Sequence, residues 1–153
     1  MPKKAKALFR AGDWISVPLR RGRRGLGFIA RKAPRHALLG YFFQWPDEDE
    51  DLEAYVAKLK PSDAVLVARF GDAGFTQGAW TVVLSTGEDK AMEWPIPVFR
   101  SRNSLGATAT YTYADSDLYT PIPSLPRSGE FINLDTGGFG AGAVEETLSA
   151  RVK

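Results

Sequence analysis

Cysteine is absent from this chain and histidine occurs once. The first absence excludes disulfides, thiolate nucleophiles and sulfur-based zinc sites, and it is compatible with a reducing compartment. The single histidine, His36, has no second imidazole with which to share a metal, and it sits beside a proline in a basic connection. No run of ~18 apolar residues is available to span a bilayer. Met1-Pro2-Lys3-Lys4 is not followed by the apolar segment that a secretory signal needs, so a cytoplasmic protein without membrane contact is expected.

What is present suits a folded globular chain. The 153 residues are 44% hydrophobic and 25% charged, and this length fits a single domain over 1–153 with residues 1–11 as a basic arm. The formal net charge of +2 conceals an asymmetry: residues 1–35 hold eleven Lys/Arg against Asp13 alone, a local charge of +10 that leaves −8 for the remainder. If folding keeps those segments apart, charged partners of either sign are steered to different sides.

Gly12 to Phe43 reads as three short strands with two basic connections. Ile15, Val17 and Leu19 alternate, with Pro18 on the other face, which places the first strand at a sheet edge. Arg20-Arg21-Gly22-Arg23-Arg24 supplies a turn, Gly25–Ala30 resumes the β pattern, and Leu38–Phe43 is apolar enough for burial on both faces. After Trp45-Pro46 the acidic run Asp47–Asp51 leads into Leu52, Tyr55, Val56 and Leu59, one buried helical stripe. Acids at its start and Lys58 and Lys60 at its end suit the helix dipole, and Pro61 stops it.

Asp63–Phe70 is an apolar run of strand length, and Trp80, Val82 and Leu84 alternate, so the two are expected to pair as a long-looped hairpin. Trp94–Phe99 is extended, at an edge or crossing. Thr108–Tyr113 alternates hydroxyls with rings. Pro121, Pro123 and Pro126 imply a loop covering the sheet between Asp115 and Arg127. Phe131, Ile132 and Leu134 suit a last short strand, and Val144, Leu148 and Val152 are spaced for a closing helix with early glutamates and a late Arg151. The expected fold is α+β and predominantly antiparallel, a single twisted sheet or partly open barrel with one mid-chain and one C-terminal helix.

Motifs that imitate function fail on their physical requirements. Asp47, Asp49 and Asp51 stand at alternate positions as in a calcium loop, but the required glycine is Leu52 and the bidentate glutamate is Lys58. Gly137–Ala143 imitates a dinucleotide turn, yet too little chain follows for the second strand of a βαβ unit. No serine is marked as a nucleophile beside His36. The reading is therefore of no catalytic residues, no metal and no cofactor. The basic turn Arg20, Arg21, Arg23 and Arg24, with Lys3 and Lys6, keeps a nucleic-acid-binding module as the alternative, against which the downstream −8 weighs.

Gly12-Asp13-Trp14-Ile15-Ser16-Val17-Pro18-Leu19, then Gly25-Leu26-Gly27-Phe28-Ile29, Tyr41-Phe42-Phe43, Gly78-Ala79-Trp80 and Trp94–Phe99 together resemble the Immunity protein 26 family of bacterial polymorphic toxin systems. The resemblance covers roughly Gly12 to Arg100. It implies a cytoplasmic, non-catalytic protein that binds and neutralises a cognate toxin, a nuclease among the possible targets. On that reading Asp47, Glu48, Asp49, Glu50, Asp51 and Glu53 are the expected contacts to a basic toxin surface. Oligomeric state is not legible in the sequence.

Overall fold

The structure, a computed structural model, describes residues 9–33, 37–102, 106, 108–115, 117–124, 133–134 and 141–152. His36, the residues 1–8 portion of the basic arm, most of the glycine-rich stretch before the last helix, Pro126, Phe131 and Ile132 lie outside these residues. The opening meander forms as expected: β1 (Asp13–Pro18), β2 (Arg24–Lys32) and β3 (Leu38–Gln44) pair antiparallel in chain order. β4 (Leu66–Phe70) adds to β3 and β5 (Thr81–Ser85) to β1, giving a five-stranded sheet of order β4-β3-β2-β1-β5. A second sheet holds β6 (Phe99–Arg102), β7 (Thr108–Ala114), β8 (Asp117–Pro123) and β9 (Asn133–Leu134) in the order β8-β7-β6-β9. Four helices accompany them: α1 (Leu52–Lys58), α2 (Ala73–Thr76), α3 (Glu88–Met92) and α4 (Ala141–Arg151).

The class is α+β and mostly antiparallel, but the strands form two open sheets rather than one. Three local expectations also change. β1 lies between β2 and β5, and Pro18 is tolerated because β5 pairs only as far as Ser16. β4 and β5 do not form a hairpin; they flank the meander at opposite edges. Residues 117–123 are not a loop but the edge strand β8, whose Pro121 and Pro123 are compatible with an edge that has no outer neighbour among the described residues. The closing helix buries Val144, Leu148 and Val152 as the spacing requires, while Glu145 and Glu146 fall in its second turn.

Alternation along the central strands sends large side chains to both faces. Ile15, Val17, Ile29, Leu38 and Phe42 face α4 and Phe75 of α2. Trp14, Leu26, Phe28, Leu39, Tyr41 and Phe43 face Val56 of α1, Ala91 of α3, and Phe99, Tyr113 and Leu118 of the second sheet. The molecule is thus layered, with the five-stranded sheet in the middle. Full burial of each such side chain contributes roughly 1.5–3 kcal/mol. Gly25 and Gly27 on β2 clear space on the α4 face: a Cβ at Gly25 would lie 2.3 Å from Leu148 Cδ2, and one at Gly27 2.8 Å from Ile15 Cγ1.

The edges of the sheets are guarded in different ways. β5 carries a bulge opposite Trp14/Ile15. Beside β4, Arg151 of α4 donates to the Val65 carbonyl at 2.8 Å. Arg31, 6% exposed, joins the layers: its Nε donates to Asp115 Oδ1 at 2.7 Å, and one terminal nitrogen donates to the carbonyls of Ala30 and Ala91. This arginine of the basic first 35 residues therefore points inward, tying β2 to α3 and to the β7–β8 turn. Arg31→Met strands two buried carbonyls and should lower unfolding free energy by about 2–4 kcal/mol in urea titration. A loss below about 0.5 kcal/mol, the range of an ordinary surface substitution, would show that the bridge is dispensable.

Candidate partner-binding surface

The acidic segment is built by a turn that runs into a helix. The Glu50 N–H donates to the Asp47 carbonyl at 3.0 Å, and Asp51 is the N-cap of α1, its Oδ2 accepting from the Ala54 N–H at 3.0 Å. Glu53 occupies the first turn, where the helix dipole favours an anion. Glu50 pairs with Lys58 at 3.3 Å. The six acids thus divide by role. Asp51 and Glu50 serve the helix itself, whereas the carboxylates of Asp47, Glu48, Asp49 and Glu53, all exposed, meet no donor among the described residues.

Their field is felt nearby. The Tyr55 hydroxyl donates to the Gln44 carbonyl at 2.7 Å, and its pKa is raised above the ordinary 10.0, first by partial burial and then by Glu50, Asp63 and Asp47.

A groove of about 550 Å³ opens between α1 and the corner where β5 passes into α3. Trp14, Phe28 and Trp94 form its floor, with the Trp94 ring centroid 4.8 Å from that of Phe28 and 5.9 Å from that of Trp14. Glu53 lines it from α1 and Glu93 from the α3 side, where Lys90 lies 3.5 Å from Glu93. Glu88 and Asp89 occupy the first turn of α3. Sequence reasoning singled out the α1 acids and passed over those of α3. The signal was Gly87-Glu88-Asp89, acids opening a helix, but five residues are too few for apolar periodicity to register.

A second hollow, about 500 Å³, lies between Arg69 of β4 and Tyr111, Tyr113 and Tyr119 of the second sheet, with Tyr119 and Ile122 of β8 exposed.

The arginine turn is differently employed. Arg23 donates to the carbonyls of Ser149 at 2.9 Å and Val152 at 3.1 Å, satisfying the C-terminal end of α4. Arg20 pairs with Glu146 at 3.6 Å, and its backbone N–H donates to Ser149 Oγ. Arg24 bonds Ser16 Oγ at 3.0 Å and stacks over Trp45 at 3.9 Å. Arg21, exposed at a left-handed φ of 61°, makes no side-chain contact among the described residues. The turn fastens α4 to the sheet, and the expected separation of charge is partly cancelled where Arg20 meets Glu146.

The family model for Immunity protein 26 matches residues 10–110, from just before β1 into β7. No curated protein and no solved structure matches the chain.

Two outcomes follow for stability and titration. Arg23→Ala should cost about 1–3 kcal/mol, since it orphans carbonyls at the α4 end, whereas Arg21→Ala should change unfolding free energy by less than about 0.5 kcal/mol. Equal effects in urea titration would remove the distinction between them. For Tyr55, a raised folded pKa means that the fold favours the neutral phenol. That contribution is fully present below pH about 10 and is lost as pH climbs through the folded value. A difference ultraviolet titration of wild type against Tyr55→Phe should place this phenol above 10.0, and Glu50→Gln should lower it only partly because burial is the larger cause.

Proposed function

Because the chain belongs to the Immunity protein 26 family, we propose that it binds a cognate bacterial protein toxin in the cytoplasm and neutralises it without chemistry of its own. The surface assigned to the toxin is the acidic segment that opens α1. The observation that carries this choice is the set of four unengaged carboxylates, Asp47, Glu48, Asp49 and Glu53, held on a capped helix and its preceding turn. An inhibitor that presents fixed anions to a basic surface gains association rate and register from complementary potentials. A nuclease, whose substrate is a polyanion, offers such a basic surface, and the acidic segment then takes the place of phosphates.

The nucleic-acid alternative is weaker on the same geometry, since Arg20, Arg23 and Arg24 are engaged in holding α4 and Trp45. Within the turn Arg21 alone is unengaged among the described residues, and one phosphate contact supplies little affinity; Lys3 and Lys6 of the alternative lie outside the described residues.

The test uses the cognate toxin domain, sought among the genes adjoining this one, in a catalytically silenced form. Asp47→Asn, Glu48→Gln, Asp49→Asn and Glu53→Gln are combined, while Asp51 and Glu50 are retained so that the cap and the Lys58 pair survive. Affinity should fall about tenfold or more and the dependence of log Kd on log salt should flatten. Unchanged affinity and salt slope would exclude this surface. A mobility-shift titration of the wild type against mixed DNA and RNA at low salt should show no complex; a complex would favour the alternative.

A further inference from the structure

Resting on the toxin-binding reading, we propose that the groove between α1 and α3 receives a cationic anchor of the toxin, an Arg or Lys side chain on a short protruding segment. Its charged head would lie between Glu53 and Glu93, and its aliphatic stem over Trp94.

Two features of the groove argue for this occupant. Its floor is aromatic, with Trp94 packed on Trp14 and Phe28, and such a floor takes the methylene stem of a long cationic side chain whose head stays at the polar rim. Its two banks are both acidic. Glu53 stands on the α1 side, continuous with Asp47–Asp51, and Glu93 on the α3 side, continuous with Glu88 and Asp89. Lys90 is the one base on the α3 bank and is paired to Glu93, so it neutralises one carboxylate and leaves the α1 bank untouched. A purely apolar side chain would gain the floor but would desolvate the Glu53 carboxylate without compensation. An acidic one would meet the uncompensated carboxylate of Glu53 on one side and the Glu93 of the Lys90 pair on the other. A guanidinium satisfies floor and rim together, and its planar donors match a carboxylate. The volume of about 550 Å³ exceeds a single side chain, so neighbouring residues of the toxin segment accompany the anchor.

The proposal adds a specific seat to a general electrostatic attraction. Asp47, Glu48 and Asp49 steer from outside the groove, whereas Glu53 and Glu93 act within it. Diffuse charge and a built seat are separable by experiment.

The experiment is a titration of the isotope-labelled full chain with N-acetyl-arginine methylamide, read on the four tryptophan indole N–H resonances. N-acetyl-glutamine methylamide serves as the neutral control. Saturable shifts should appear at Trp94 and Trp14, not at Trp45 or Trp80, and only with the arginine probe. Glu53→Gln with Glu93→Gln should raise the fitted Kd roughly fivefold or more. Both residues are exposed, so the variant's unchanged urea midpoint confirms that folding is intact. No saturable shift, equal shifts at all four indoles, or an unaltered Kd in the variant would each overturn the groove. The same double variant is then mixed with the silenced toxin domain. If wild type binds the toxin and the variant binds it equally, the groove is wrong while the immunity reading stands; if wild type does not bind, the immunity reading itself fails.

Discussion

A sheet that is apolar on both faces has to be covered on both, and this requirement organises the molecule. The strands of the opening meander send Ile15, Val17 and Phe42 one way and Trp14, Phe28 and Tyr41 the other. Water excluded from one face alone would leave several large aromatic and aliphatic groups exposed, at roughly 1.5–3 kcal/mol each. α4 and α2 cover the first face; α1, α3 and the second sheet cover the other. Each cover is fastened by an inward arginine. Arg23 holds the end of α4, and Arg31 holds α3 and the β7–β8 turn. The positive charge that crowds the first 35 residues therefore supplies part of the structural linkage between layers, as well as surface.

Much of this architecture was legible because period-2 and period-3.6 patterns survive wherever one element buries one face. The meander, the α1 stripe and the Val144, Leu148, Val152 stripe were read directly. Pairing was less accessible. Nothing local distinguishes β4 joining β3 from β4 joining β5, since both choices bury the same side chains and only the tertiary arrangement of the intervening α2 segment decides. β8 was hidden by its own prolines, which argue against an interior strand and are silent about an edge. Arg31 was counted as surface charge because a buried arginine differs from an exposed one only through distant partners, here Ala91 and Asp115.

The candidate site shows the same division. The acidic run was conspicuous by composition, but composition could not say which acids were free. Geometry assigns Asp51 to the cap and Glu50 to Lys58, and leaves Asp47, Glu48, Asp49 and Glu53 facing water. It also supplies what the sequence lacked, a second acidic bank on α3 and an aromatic floor between the two. Trp94 reaches that floor because Trp94–Val98 crosses from the five-stranded sheet toward β6, a path its prolines favour by withholding ladder donors.

The proposed toxin binding makes one face of this protein, the acidic one, the face that a toxin would cover. Amide hydrogen exchange of the chain mixed with the cognate toxin domain of the proposed function, compared with the free chain, locates that face directly. Slowed exchange should concentrate in residues 47–59 and 84–94, with the Arg20–Gly22 turn and α4 unchanged. Protection confined to that turn and α4, or to β7 and β8, would contradict it.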